Sequence, residues 1–160
     1  VIGCGGAGKA AVIAAQEMGF KTLLSNRTMG KAELFVKSIQ EHYSYIPNVE
    51  NLEDFKQNFY KSDLIIYTAN ESITHLNTLK AEMEEFESNQ YSKEFSSNPK
   101  IVIEANYNNP SFTPSFLRGL PKLNNIRYID GKKWLLFQAL IGFEIMTGEN
   151  AKALLEIDKF

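Results

Sequence analysis

The chain has one cysteine, nearly equal numbers of basic and acidic residues, and no long apolar run. A single cysteine cannot form a disulfide within the chain, so we expect a reducing, cytoplasmic location. A net charge of −2 and a pI near 5.8 provide no basic surface for nucleic acid. No apolar run is long enough to span a membrane, and no signal peptide is recognisable. The length of 160 residues fits one domain with a hydrophobic core.

Reactive and metal-binding side chains are also few. Cys4 lies inside a glycine-rich turn with no histidine near it in sequence, so we interpret it as a small filler and not as a nucleophile. His42 and His75 stand in polar surroundings without metal-ligand spacing, so no metal site is predicted. The sequence thus offers no convincing pair of catalytic residues of its own.

The most informative pattern that is present is a glycine-rich turn at the start of the chain. Three glycines fit G-x-G-x-x-G, with Val1-Ile2 as the end of a strand and residues 10–18 as a helix. The first glycine permits a tight turn, the second lets the backbone approach a pyrophosphate, and the third lets helix and strand pack closely. N–H groups at the helix N-terminus would face the anion. The cofactor-binding residues predicted at this turn are Gly3, Gly5, Gly6, Ala7 and Gly8.

The residues after the next apolar segment predict which dinucleotide binds. Residues 21–25 are expected to form a strand, at whose end NAD sites place an acid that accepts from the ribose 2′-OH. Here the chain has Asn26-Arg27-Thr28, no nearby acid, and Lys31 one helical turn on. A guanidinium suits phosphate oxygens, so these four residues predict NADP. The alternative is that Arg27 and Lys31 are ordinary solvated cations at the start of a helix.

Helix-like and strand-like segments alternate along the rest of the chain, as in repeated βαβ units. The predicted helices are 31–42, 74–86 and 134–146, the predicted strands are 63–68, 101–107 and 126–129, and 88–99 is a polar, flexible loop. The inner stripe of helix 31–42 is predicted to consist of Leu34, Phe35, Ser38 and Ile39. This order predicts an α/β, Rossmann-like, doubly wound fold with a mainly parallel six-stranded sheet and helices on both faces.

The start of the chain is shorter than a complete strand would require. It has no initiator methionine, and only two residues precede the first glycine. Since strands usually have about five residues, we expect residues 1–160 to be one domain of a longer polypeptide.

Motifs in the C-terminal third resemble those of the shikimate dehydrogenases. Asp130-Gly131 is followed seven residues after the glycine by Gln138-Ala139, and then by F-E-x-x-T-G at 143–148. The opening G-x-G-G-A and the run N-R-T-x-x-K-A at 26–32 also match that family. Glu104-Ala105-Asn106-Tyr107, with Pro110 and Thr113-Pro114, looks like the family's D-x-x-Y-x-P…T-P segment with one extra residue. The resemblance spans nearly the whole chain.

The resemblance implies a function and a role for several residues. Shikimate dehydrogenases reduce 3-dehydroshikimate to shikimate with NADPH, on the route to aromatic amino acids. A Rossmann domain like this chain closes a cleft with an N-terminal domain that carries the catalytic lysine and aspartate. The resemblance implies that Gln138 hydrogen-bonds a substrate hydroxyl, that the Gly131 backbone lies near the nicotinamide, and that Thr68 and Ala69 lie beside the cofactor. The alternative for Gln138 is a polar residue that faces solvent.

Three positions depart from the family pattern, as is typical of a divergent member. The segment 67–72 lacks the usual Gly-Met pair, Trp134 stands in place of Met, and Glu104 stands in place of Asp. Two other functions fit the motifs. Glutamyl-tRNA reductase also combines a glycine turn with N-R-T and uses NADPH. A non-catalytic regulatory module could have kept the fold and lost the chemistry.

Overall fold

The computed structural model describes residues 1–43, 45–52, 58–59, 61–70, 100–118 and 126–151. The helices within these ranges are α1 (Gly6–Glu17), α2 (Met29–Ile39), α3 (Pro114–Arg118) and α4 (Gly131–Thr147). The strands are β1 (Leu23–Asn26), β2 (Asn48–Asn51), β3 (Leu64–Tyr67), β4 (Lys100–Glu104) and β5 (Ile126–Ile129). The helix expected at 74–86, the loop expected at 88–99 and His75 lie outside the described residues. No helix in the described ranges is both long and apolar enough to cross a membrane.

The centre of the parallel sheet is the short segment 1–3. Ile2 forms isolated bridges to Ser25 of β1 and to Tyr67 of β3. Outward from there, β1 pairs with β2, β3 with β4 and β4 with β5, and every pair is parallel. If the central segment is counted as the first strand, the order is the doubly wound 3-2-1-4-5-6. The described residues therefore contain five strands and a bridge in the position of the predicted sixth.

The two faces of the sheet carry separate hydrophobic clusters. Register partners in a parallel sheet point to the same face, so Ile2, Ser25 and Tyr67 share one face, and Leu24 points to the other. The cluster on the first face consists of Ile2, Phe59, Ile65, Tyr67, Val102, Phe112 and Leu117. The cluster on the second face consists of Val12, Leu24, Ala32, Phe35, Val36 and Ile39. Since α3 supplies Leu117, and α1 and α2 supply all of the second set except Leu24, helices cover both faces, as predicted.

The bounds of most elements differ from the sequence prediction by a few residues. Helix α1 begins at Gly6 and not at residue 10, because Gly5 is its N-cap and the glycine turn is already helical. Strand β4 ends at Glu104 and not at residue 107. Helix α4 begins three residues before the predicted start, because Asp130 caps it. Strand β1 lies slightly later than predicted and α2 slightly earlier, whereas β5 has the predicted bounds.

Strand β2 is not predicted from the sequence. Its residues, Asn-Val-Glu-Asn, are mostly polar, and none of the four is fully buried. It pairs with β1 alone in the described residues and lies at the edge of the sheet. An edge strand of this kind lacks the apolar run by which a central strand is recognised.

The predicted inner face of α2 is partly wrong. Its buried residues are Ala32, Phe35, Val36 and Ile39. Leu34 is 72% exposed, and the exposed Ser38 donates to the carbonyl of Phe35 at 2.7 Å. Both sets have helical spacing, so periodicity alone does not choose between them. The small side chain of Ala32 lets the helix lie close to the sheet on that side.

Glu104 is a fully buried carboxylate at the end of β4. Its Oε1 accepts from the N–H of Asn106 at 3.0 Å, and its Oε2 accepts from the N–H groups of Ser111 and Phe112 at 2.9 and 3.0 Å. Burial raises the pKa of Glu104, while these three N–H donors act in the opposite direction. The carboxylate thus fixes the loop 105–113 onto the sheet.

We expect Glu104→Gln to lower the free energy of unfolding by about 2 kcal/mol, because one buried N–H donor would then face an amide NH₂. Urea unfolding followed by circular dichroism measures this change. The control is Glu33→Gln on the exposed side of α2, which should change the free energy by less than about 0.5 kcal/mol. Equal unfolding midpoints for the two variants would contradict the anchoring role.

Candidate functional site

The glycine turn lies at the carboxyl edge of the sheet, directly after the central segment. Gly3 has a φ of 99°, in the left-handed region that glycine adopts without strain. A Cβ on Gly8 would overlap the carbonyl oxygen of Gly3 and lie 2.8 Å from the Thr68 Oγ1. The turn therefore requires glycine at both positions. By contrast, apart from its chain neighbours and the helix backbone, no atom of the described residues lies within 4 Å of a Cβ placed on Gly5 or Gly6, so this side of the turn is open.

The open side of the turn is the N-terminus of α1. Its N-cap is Gly5, which has no side chain to accept a hydrogen bond from the first turn. The first N–H groups of a helix have no partner within it, so those near Ala7 are available to an anion. Cys4 packs beside them, half-buried, with its Sγ 3.8 Å from the carbonyl oxygen of Lys31. Burial raises the pKa of the Cys4 thiol against the opposing effect of Lys9 and Lys31, as expected for a filler.

The Asn26-Arg27-Thr28 run is joined to this turn by a side chain. The Asn26 Oδ1 accepts from the N–H of Cys4 at 3.2 Å, and its Nδ2 donates to the carbonyl of Thr28 at 2.8 Å. Thr28 is the N-cap of α2, and its side chain makes no capping hydrogen bond. Arg27 and Lys31 are both exposed beside this second helix start. The structure thus brings together the predicted turn residues and the predicted phosphate-reading residues.

Thr68 and Ala69 lie beneath the turn. The Thr68 hydroxyl donates to the Ile2 carbonyl at 3.0 Å and contacts the Gly3 carbonyl oxygen at 3.4 Å. A Cβ on Gly3 would lie 3.1 Å from the backbone nitrogen of Ala69. The hydroxyl of Thr68 is therefore committed to the turn, and it supports the site from below.

The start of α4 closes the other end of this edge. A Cβ on Gly131 would lie 2.7 Å from the backbone nitrogen of Tyr107, so helix and loop 105–113 touch. Asn106 in that loop donates to the carbonyl of Asn70 at 3.2 Å and links the ends of β3 and β4. The Asp130 side chain accepts from the N–H of Lys133 at 2.9 Å. Unlike α1 and α2, α4 therefore starts with a carboxylate in the place that an anion would take.

Two curated proteins are similar to the chain over almost all of its length. One is named shikimate dehydrogenase (NADP(+)), from Bartonella henselae, and is 31% identical in an alignment of 151 positions, gaps included, that covers 92% of this chain and 47% of that protein. The other has the same name, comes from Dictyoglomus thermophilum, and is 31% identical in an alignment of 165 positions, gaps included, that covers 96% of this chain and 54% of that protein. The chain is a relative of the shikimate dehydrogenases.

A solved structure has the same fold. The crystal structure of shikimate dehydrogenase from Thermotoga maritima aligns with a TM-score of 0.57 and 19% identity, covering 91% of this chain and 49% of that one. This likeness confirms the Rossmann-like α/β fold. The chain spans about half the length of the shikimate dehydrogenases that it matches. No protein-family model matches the chain.

Gln138, the residue matched to the substrate contact of shikimate dehydrogenases, lies on an exposed apolar face of α4. Gln138 is itself exposed, and Leu135, Ile141 and Ile145, at helical spacing around it, are 43%, 55% and 79% exposed. Exposed apolar patches of this kind mark interaction sites. The contact between Gln138 and a substrate hydroxyl stays a prediction.

A cavity of about 290 Å³ lies at the opposite edge of the sheet, away from the glycine turn. It is lined by the amino ends of β1 and β3 and by Asn58, Phe59 and residues 61–63. Beside it the buried Lys100 donates to the carbonyl oxygens of Phe59 and Ser62, and burial lowers its pKa to about 8. Ligands of doubly wound sheets bind at the carboxyl ends of the strands, so this cavity is not the candidate site.

We expect Gly8→Ala to lower the free energy of unfolding by about 2–3 kcal/mol, because the new Cβ would overlap the Gly3 carbonyl and force the helix away from the strand. The matched control in the same helix is Gly6→Ala, which meets open space. It should be neutral, or stabilising by up to about 1 kcal/mol. Urea unfolding of both variants measures the difference, and a Gly8→Ala variant as stable as Gly6→Ala would contradict the close approach.

Proposed function

We propose that this chain is the NADP(H)-binding domain of a shikimate dehydrogenase-like oxidoreductase that interconverts 3-dehydroshikimate and shikimate. The observation that carries the proposal is the pair of helix N-termini, α1 and α2, that lie side by side without a side-chain cap. Together they offer N–H donors to a pyrophosphate at one helix start and to a single phosphate at the other. Both curated relatives are named for NADP(+), the cofactor predicted from Asn26-Arg27-Thr28.

The turn at α1 suits the pyrophosphate of the cofactor. The open space over Gly5 and Gly6 lets two phosphate groups approach the backbone closely. The N–H groups at the start of α1 would donate to the phosphate oxygens, and the helix dipole favours the negative charge. No side chain is needed for this contact, which is why the turn is rich in glycine.

The start of α2 suits the 2′-phosphate. Arg27 can present several N–H donors to its oxygens, and Lys31 adds a second positive charge. No acidic residue stands at the end of β1 to accept from a ribose 2′-OH, as an NAD site would require. These features favour the phosphorylated cofactor.

The bound cofactor would exchange a hydride with the substrate, and a separate acid–base group must move the hydroxyl proton. This chain would hold the cofactor, place the nicotinamide near Gly131, and contact a substrate hydroxyl through Gln138. We propose that the proton-transferring residues belong to a second domain, since the relatives are about twice as long as the chain. That domain would cover the exposed face of α4 that surrounds Gln138.

We expect Arg27→Ala to weaken NADP+ binding by about 10- to 100-fold, because a charged hydrogen bond to the 2′-phosphate is worth about 1.5–3 kcal/mol. Binding of NAD+ should change little, since it lacks that phosphate. Isothermal titration calorimetry with both nucleotides measures the two affinities, and Lys37→Ala in the last turn of α2 is the control.

Either of two results would contradict the proposal. Wild-type protein that binds neither nucleotide would favour the regulatory module, and an equal loss of NAD+ and NADP+ affinity on Arg27→Ala would remove the basis for NADP selection. A loss of affinity on Lys37→Ala as large as that on Arg27→Ala would point to general charge effects in place of a specific contact.

We expect the chain by itself to bind NADP+ but not to oxidise shikimate, because the acid–base residues lie outside it. The measurement is the appearance of NADPH absorbance in a steady-state assay, next to calorimetry on the same sample. Gln138→Ala should leave NADP+ affinity within about threefold of wild type, since Gln138 is proposed to touch the substrate and not the cofactor. Turnover of shikimate by this chain alone would contradict the division of roles.

A further inference from the structure

We infer that Asn26 is a positioning residue that locks the two phosphate-facing helix starts together. The inference rests on the proposed function, because it concerns how the two halves of that site are held in register. Its experiment includes a measurement on the ligand-free protein, so the two ideas can fail separately.

Main-chain pairing between the central segment and β1 ends just before Asn26. The last backbone bond between them joins the Gly3 N–H to the Ser25 carbonyl at 2.9 Å. Beyond it, the positive φ of Gly3 turns the chain away from β1. The next N–H, that of Cys4, is accepted by the Asn26 side chain at 3.2 Å. The amide oxygen thus extends the sheet pairing by one bond, up to the residue before the N-cap of α1.

The other half of the same amide holds the start of α2. Its Nδ2 donates to the carbonyl of Thr28 at 2.8 Å, and that carbonyl also accepts the N–H of Lys31 at 3.2 Å. Thr28 is the N-cap of α2. One planar side chain therefore fixes the residue before one N-cap and the N-cap of the next helix.

The amide satisfies both partners. The Cys4 N–H requires an acceptor and the Thr28 carbonyl requires a donor, and Asn presents one of each on adjacent atoms. A flipped amide would place NH₂ against N–H and oxygen against carbonyl, so the assignment is determined by the partners. Aspartate would keep the first bond and lose the second, and alanine would lose both.

Because the oxygen and one N–H of the amide hold backbone groups at both helix starts, loss of Asn26 would act on the cofactor site through the backbone. If it is removed, both helix starts should shift relative to each other. Affinity should then be lost at the pyrophosphate turn, which NAD+ and NADP+ share, and not only at the 2′-phosphate contact. Removal of a direct ligand of the 2′-phosphate, as proposed for Arg27, would leave NAD+ binding unchanged.

The experiment compares Asn26→Ala with Arg27→Ala, and with Asn48→Ala at an exposed position of β2 as the control. Amide hydrogen exchange of Cys4 is followed by NMR in ligand-free protein, and NAD+ and NADP+ affinities by calorimetry. We expect Asn26→Ala to speed exchange at Cys4 and to weaken the binding of both nucleotides by about tenfold, the equivalent of about 1.4 kcal/mol. Arg27→Ala should leave Cys4 exchange unchanged.

Asn26→Asp keeps the inference testable if the alanine variant does not fold. Aspartate retains the acceptor for Cys4, so Cys4 exchange should stay at the wild-type rate while NADP+ binding weakens. Unchanged Cys4 exchange in Asn26→Ala, unchanged NAD+ affinity in that variant, or fast Cys4 exchange in Asn26→Asp would each overturn the inference. A wild-type chain that binds neither nucleotide would instead defeat the proposed function, and the exchange measurement would still decide whether Asn26 links the two helix starts.

Discussion

The contact between α1 and the central segment of the sheet determines how the candidate site at the carboxyl edge is arranged. Gly8 lies so close to the Gly3 carbonyl that no side chain fits between them, and the Thr68 hydroxyl fills the remaining space below. This approach aims the N-terminus of α1 across the edge of the sheet and leaves its outer side open. A helix set further away would still cover the sheet, but its first N–H groups would no longer line a cleft.

Polar side chains, and not only main-chain pairing, hold the loops around that contact. Asn26 ties the glycine turn to the start of α2, Glu104 holds the loop 105–113, and Asn106 links that loop to the end of β3. Loops at the ends of parallel strands have no ladder partners of their own, so side-chain hydrogen bonds must satisfy their backbone groups. The same groups that close these loops also define the distance between the two ends of the candidate site.

The parts of the fold that could be predicted are those with a strong local pattern. The glycine spacing gave the turn and the helix after it, and the apolar segments gave β3, β4 and β5 within a few residues. Strand β2 could not be predicted because its polar edge sequence has no such pattern. The inner face of α2 was partly wrong because two stripes of equal spacing compete on that helix, and only packing against β1 chooses Ala32 over Leu34.

The sequence by itself determined most of the alternation of helices and strands, the position of the phosphate turn and the relation to shikimate dehydrogenases, because each depends on residue types at short, fixed spacing. The tertiary structure alone decided that Thr68 supports the turn, that Asn26 joins two helix starts, and that Gln138 lies on an exposed apolar face. These relations connect residues far apart in the chain or on separate elements. They depend on sheet register and helix rotation, which local spacing does not specify.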